Sequence, residues 1–490
     1  MTTADKTNKQ AEIKQEETFY PSIFNDVLAP ATQGPSSSNT VGVYRITSIA
    51  RAILDGEPVS LKVEMSTKGG FYDTFFGMDS DKACLAGILG EDLIKSDLGK
   101  IYDVAKERGL EYDFFFTDRI EKIPTEMGEF TVKSEKETIV LTGITMGGGE
   151  ILIRDINGQP CEIKGMHEEE IMIKGSDKPR TVPSVYPLKT VRGAVPPFST
   201  SAEMIEYAKS NKKPLWQAAL DYECSLTGLT AEEVWKVAEE TLDISYASIE
   251  AGHRDGVKFD GITVAKAPEI REKMKTTKLI PTGAADDGAL DALAVMEYSN
   301  SHGIIICMPT GGASGIIPAA IKNTSKTLGK TKEDEVKALL VAGLIGVFYF
   351  PTHYHGALGC QAEVGIAASM ASAGLVSFLT DDPETAERGA VLAMQYIIGQ
   401  VCDPVAGYPQ IPCFIRNVAS VPVAMTCANY AILGLDTAVG LDGMVQAVLR
   451  VGEKLREGRI NDLGTCMNEY SANPCSACGQ SQGRLSRITI

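Results

Sequence analysis

The sequence predicts an α/β (α+β) N-terminal domain followed by an all-α C-terminal domain. Three observations carry that reading. At 490 residues the chain is longer than one ordinary hydrophobic core serves. Between residues 59 and 165 the strand period and turn residues dominate around one helical stretch. From Ser201 onward apolar residues recur at helical spacing.

The elements follow in order. Residues 1–18 are rich in Lys, Gln and Glu and read as a disordered, solvated tail; they lack the apolar centre of a signal peptide, and none is expected. Order is expected from Phe19. The segment Gly34 to Gly42, Gly-Pro-Ser-Ser-Ser-Asn-Thr-Val-Gly, reads as a turn leading into a helix over Tyr44 to Leu54. Its hydroxyls and N–H groups either cap that helix or bind an anion there. Val59 to Met65 alternates at the strand period, and Ala83 to Arg108 is mostly helical. Strands are expected over Tyr112–Phe116, Gly128–Lys133, Glu137–Leu141 and Glu150–Ile156, with Asn157-Gly158 as a hairpin turn. The domain is bounded at 19–165. Residues 166–200 read as an extended linker, because Pro179, Pro183, Pro187, Pro196 and Pro197 punctuate them. The second domain spans 201–490. Helices are expected over Thr230–Ile249, Asp287–Ser299, Lys332–Phe350, Gln361–Phe378, Pro383–Ile398, Val418–Leu433 and Leu441–Leu455. Its C-terminal stretch from Ser471 is polar and reads as a mobile tail.

The composition is globular, 44% hydrophobic and 23% charged, with net charge −17. No Lys/Arg block tracks phosphates, so nucleic-acid binding is disfavoured. The longest apolar run, Ala338 to Phe350, is too short for a bilayer, so no membrane partner is expected. The expected setting is the cytoplasm. There thiols stay reduced, so the eleven cysteines call for ligation, catalysis or burial rather than disulfides.

Cys360, Cys402 and Cys413 stand out. Pro404, Pro409 and Pro412 argue against a continuous helix between the last two, which places both on a stiff loop. Cys360 lies in Gly-Cys-Gln-Ala-Glu-Val-Gly, ahead of a small-residue apolar stretch. Two readings stand: three buried structural thiols, or three thiolate ligands of an iron–sulfur cluster with one iron open to substrate. Cys475 and Cys478 form a CxxC that is either a ligand source or an incidental pair in an exposed tail. Thr310, Gly311, Gly312, Ala313 and Ser314 lie in a glycine-rich loop that either cradles a carboxylate or makes a tight turn for helix packing. It lacks the Gly-Lys-Ser/Thr of a nucleotide phosphate loop. His353 and His355, two of only five histidines, precede Cys360 and are candidates for a general base, or are structural.

Taken together, these segments resemble the iron–sulfur-dependent L-serine dehydratases (L-serine ammonia-lyases). The matching segments are Pro309 to Ala319, Gly359 to Gly365, Cys402 to Asn417, Gly34 to Gly42 and the triple glycine Gly147 to Gly149. The resemblance spans most of the chain in the same order, and its cysteine motifs are the specific part. It implies a [4Fe–4S] cluster on Cys360, Cys402 and Cys413, whose remaining iron takes the substrate carboxylate and β-hydroxyl. It also implies an α/β N-terminal domain, a helical cluster domain, and Cys475 or Cys478 as a displaceable ligand. Ser36, Ser37, Ser38, Asn39 and Thr40 would then hold substrate, with Thr310 to Ser314 on the opposite wall.

The chain departs from the pattern at three places. Asn39 stands where family members carry a histidine proposed as the base, and an amide takes no proton at neutral pH; His353 or His355 is then first in line. Tyr354-His-Gly-Ala-Leu replaces an acidic segment, and Asn473-Pro-Cys-Ser-Ala-Cys replaces a Gly-Gly-Leu-Ala ending. The expected activity is α,β-elimination of L-serine, or a related β-substituted amino acid, to a 2-keto acid and ammonia. The alternatives are a cysteine desulfidase-like elimination and a non-catalytic iron–sulfur sensor. The expected partners are a small-molecule amino acid and further copies of the same chain.

Overall fold

The computed structural model describes residues 19–67, 71–120, 126–352, 358–402, 405 and 407–457. The tail at 1–18 and the C-terminal stretch from Ser471 lie outside those residues.

Strand-period sequence does build the N-terminal half. Strand β1 is Ala31–Gln33. Six further strands, β2 (Ser60–Ser66), β3 (Glu111–Thr117), β4 (Glu126–Lys133), β5 (Thr138–Gly147), β6 (Glu150–Ile156) and β7 (Gln159–Ile163), form one mixed sheet. Its order is β3-β2-β4-β5-β6-β7. Only the β2–β3 pair is parallel, with Ser60 opposite Glu111; the other pairs are antiparallel. The helices Val43–Ile53 and Ser80–Leu89 cover the sheet. Val43, Ile46, Ile49, Ala50 and Ile53 recur at helical spacing and share a core with Leu61, Val63, Phe130, Val132 and Ile153. Within 166–200 the chain forms a short antiparallel hairpin, β8 (Glu169–Ile171) with β9 (Arg180–Val182).

From Ser201 the chain is helical, apart from β10 (Ile304–Ile306), which pairs antiparallel with β1. The helix Val364–Val376 is buried along its whole length, as its all-round apolar, small-residue sequence requires. Gly374 lets it close on Ala338, where a β-carbon would lie 2.6 Å from the carbonyl oxygen. Around it pack Lys332–Phe348, Pro383–Ile397 and Gln410–Ile432, each in contact with it or with one another. The N-terminal residues Ile23, Phe24, Val27 and Leu28 belong to this helical core, not to the core of the sheet. The two halves are thus tied by the 23–28 segment and by the β1–β10 pair.

The helix Gln410–Ile432 corrects one local expectation. The loop from Cys402 does not run to Cys413; Cys413 sits in the first turn of that helix. Ile411 keeps extended backbone (φ −122°, ψ 120°), as a residue before proline does, and Pro412 then starts the helix where its missing N–H is harmless. The same helix is long and apolar enough to cross a membrane by length and composition, yet Val421, Ala424 and Ala428 bury it in the helical body.

Candidate active site

Cys360 enters the site through Gly359, whose φ of 83° is open to glycine and strained for other residues. Behind it, the Gln361 side chain donates to Leu358 O and Val448 O (2.9 and 3.1 Å) and accepts from Gly399 N–H (2.9 Å). Gln410 clamps the second cysteine segment: its carbonyl accepts from the N–H of Ile262 (2.8 Å) and Thr263 (3.1 Å), and its amide donates to Asp260 O (2.8 Å). These anchors bring Cys360, Cys402 and Cys413 together. None of the three is in a disulfide; Cys360 and Cys413 are buried and Cys402 partly so.

Their protons are coupled. Hydrogen bonds from Cys402 and Cys413, and then the Arg416 guanidinium, draw the Cys360 thiol well below the ordinary thiol range, against burial. Cys402 and Cys413 are pushed well up, because each donates to Cys360 and then faces its negative charge. Arg416 is braced by donating to Val401 O (2.7 Å), one residue from Cys402.

Glu363, one turn beyond Cys360, places Oε2 3.8 Å from the Cys360 sulfur. Burial, reinforced by the Cys360 sulfur, pushes its carboxyl up to about 8, against Thr310 and Arg416. Above it lies the glycine-rich loop: a β-carbon on Gly312 would meet both Glu363 carboxylate oxygens at 3.7 Å and Thr310 Oγ1 at 3.8 Å. Thr310 Oγ1 is close to that carboxylate but meets no partner in good hydrogen-bond geometry. Asn417 fixes the loop to the helix that carries Cys413. It donates to Gly312 O (2.7 Å) and Cys413 O (2.9 Å) and accepts from Gly315 N–H (3.2 Å).

The hydroxyl-rich N-terminal loop meets the same place. Ser36 caps the turn Ser37–Gly42, accepting from Asn39 N–H at 3.0 Å. Gly311 lies directly against it: a β-carbon there would sit 2.9 Å from Pro35 O. Ser299 Oγ donates to Gly34 O at 3.3 Å, adding a tie to the helical half. Asn39 Nδ2 donates to Thr74 Oγ1 (2.7 Å) and Thr40 Oγ1 donates to Met78 O (3.0 Å). Ser37 Oγ is buried without a hydrogen-bond partner.

The residues singled out in the sequence therefore fall into three groups. Cys360, Cys402, Cys413, Gly311, Gly312 and Thr310 converge, with Ser36, Ser37 and Asn39 on the loop that Gly311 touches. Ser314 turns away, donating to Gly311 O (2.9 Å), and Thr40 is committed to Met78; Ala313 N–H closes the loop on Thr310 O (3.2 Å). His353, His355, Cys475 and Cys478 lie outside the described residues. Glu363 and Arg416 were not singled out, although a lone acid and a lone base in apolar runs are signals that could have found them. Thr74 and Gly77 carried no such signal.

Among the described residues, no group of three or more His, Cys, Asp or Glu side chains forms a site for a single metal ion. Thiol sulfur suits soft metals and has little affinity for oxygen-seeking cations.

The sequence profile of the family described as "Serine dehydratase alpha chain" matches residues 202–461. Similar proteins include the "Probable L-serine dehydratase, alpha chain" of Bacillus subtilis, 27% identical over 53% of this chain and 87% of its own length. The "L-serine dehydratase" of Streptomyces coelicolor is 29% identical over 86% of this chain and 92% of its own. The "L-serine dehydratase 1" of Escherichia coli is 26% identical over 86% and 93%.

Proposed function

We propose, from the premise that the chain belongs to the serine dehydratase alpha chain family, that it is a lyase removing the β-hydroxyl of L-serine, or of a close β-substituted amino acid, to give a 2-keto acid and ammonia. The observation that carries this reading is the convergence of three thiols, a half-buried carboxyl and the Ser37 and Thr310 hydroxyls at the meeting of two loops.

Cys360, Cys402 and Cys413 would hold a [4Fe–4S] cluster; the donor set fits it, since none of the three is in a disulfide and they gather beside the Arg416 guanidinium. When bound, such a group supplies Lewis acidity toward a leaving hydroxyl. Arg416 offsets the negative charge of the thiolates. Ser37 and Thr310 offer hydroxyls to the polar groups of a substrate. Glu363 is the described residue able to hold or release a proton at the site, with its Oε2 beside Cys360 and its carboxyl under Gly312. His353 and His355 remain in this proposal as candidate bases and Cys475 or Cys478 as a displaceable thiol; all four lie outside the described residues. Gly311 and Asn417 hold the two walls in register. A cytoplasmic setting and self-association belong to the same reading.

The test is anaerobic reconstitution with iron and sulfide, followed by ammonia release from a panel of β-substituted L-amino acids. L-Serine turnover that scales with cluster content supports the reading. A fully loaded protein inert toward the whole panel overturns it in favour of a non-catalytic role.

A further inference from the structure

The three sulfurs come from separate segments of the chain, and one side chain reaches all of them. Arg416 follows Cys413 by three residues in the helix Gln410–Ile432, so the two share a face. Its Nη1 donates to Val401 O at 2.7 Å, one residue before Cys402. Its guanidinium also hydrogen-bonds the Cys360 sulfur. Other ties join only two segments at a time. Gln361 accepts from Gly399 N–H through its side chain (2.9 Å) and donates to Gln400 O through its own N–H (3.3 Å), joining the Cys360 and Cys402 stretches. Val405 N–H donates to Ile411 O (3.0 Å), joining the Cys402 stretch to the Cys413 helix. Those ties are uncharged; Arg416 alone among them is cationic.

The charge matters at this place. Glu363 Oε2 stands 3.8 Å from the Cys360 sulfur, and its carboxyl lies in the field of the same guanidinium. Thiolate ligands beside a carboxyl gather negative charge in a largely buried site, where charge without a partner is costly. A guanidinium suits such a place: it is always charged, and its planar fork serves two acceptors at once. N–H donors and positive charge beside ligand sulfurs also raise the reduction potential of the group those sulfurs hold.

We infer that Arg416 is a positioning residue for the sulfur-bound group: it draws the three cysteine segments to one point, and its charge beside Cys360 slows loss of that group and raises its reduction potential. The inference rests on the cluster reading above and gives a role to a residue outside the ligand set.

The protein is reconstituted anaerobically with iron and sulfide, and two quantities are read. One is the half-life of bound iron against an excess of a ferrous chelator. The other is the midpoint potential, from a mediated titration followed by electron paramagnetic resonance. Arg416→Met keeps an extended side chain and removes the charge and the donors. We expect its iron half-life to shorten about tenfold, the lower end of what losing a ligand's hydrogen-bond partner costs. The one-electron equilibrium should shift about tenfold toward the oxidised form, about 59 mV to lower potential. Arg416→Lys, which keeps the charge without the fork, should recover the potential and leave the half-life short. An Arg416→Met protein with the wild-type half-life and potential overturns the inference. Faster iron loss at the wild-type potential is what a merely structural role gives, and overturns it as well. Should Arg416→Met fail to fold, Arg416→Gln decides by the potential, being neutral yet able to donate to Val401 O: a lower value supports the inference, and an unchanged one overturns it. A wild-type protein that takes up no cluster removes the cluster reading, and this inference with it. A loaded wild type whose variants do not differ from it removes the inference alone.

Discussion

Replacing Gly311 by alanine tests whether the two substrate walls are in direct contact. The new β-carbon would lie 2.9 Å from Pro35 O, 3.1 Å from Pro35 C and 3.2 Å from Ser36 Cα. All three are backbone atoms, so no side chain can rotate out of the way. The loops must part by some tenths of an ångström. Overpacking of this kind costs about 1–3 kcal/mol. A displacement near 1 Å at a reacting centre costs about 10²-fold in rate, so a parting of some tenths should lower kcat/KM by about three- to tenfold. The neighbour supplies the control. A β-carbon on Gly312 meets nothing nearer than 3.7 Å, so Gly312→Ala should leave stability within about 0.5 kcal/mol. Urea unfolding, iron content and anaerobic ammonia release are measured on both variants. Gly311→Ala with normal iron but reduced stability and turnover is the expected pattern. If Gly311→Ala matches wild type in both, the loops do not meet as described.

Three further outcomes are expected. Cys402→Ser should lose the visible absorbance of the cluster, its iron and its activity together; unchanged iron content rejects Cys402 as a ligand. Asn417→Ala strips partners from Gly312 O, Cys413 O and Gly315 N–H, and should lower stability by about 1–3 kcal/mol for each group left buried and unpaired, read by urea unfolding. Asp26 is buried and its carboxyl is pushed up to about 8, mainly by desolvation. A carboxyl raised on folding stabilises fully below its unfolded value near 4, and that contribution is lost as pH rises through about 8. It should therefore add a slope of about −1.4 kcal/mol per pH unit between those values, which Asp26→Asn should remove. A variant with the wild-type slope contradicts this assignment.

Much of the fold was legible because it rests on periodicity. Val43–Ile53, Ser60–Ser66 and Glu150–Ile156 each show their buried positions in the sequence, and each formed within a residue or two of expectation. What escaped were features that depend on long-range contact. Ile23, Phe24, Val27 and Leu28 precede the sheet in sequence but pack on Lys332–Phe348, where Gly343 and Gly346 leave room for them. Strand β10 is three isoleucines whose role is fixed only by β1, far away in the chain. At Cys413 the prolines were read as a barrier along the whole segment, whereas Pro412 begins a helix.

The same distinction explains which site residues could be found by reading. A cysteine, a glycine run or a serine cluster announces its chemistry alone. Glu363, Arg416 and Asn417 acquire theirs from neighbours: the Cys360 sulfur, the three gathered sulfurs and a loop carbonyl. Thr74 is the extreme case, an ordinary residue whose partner lies 35 positions away. The N-terminal half is therefore more than an accessory to the cysteine-bearing half. Its hydroxyl loop is held from one side by Gly311 and Ser299 of the helical half and from the other by its own turn at Thr74 and Met78. Because Gly77 in that turn rests on Gly407, between two of the sulfurs, a rearrangement of the cysteine segment must also move the wall that carries Asn39.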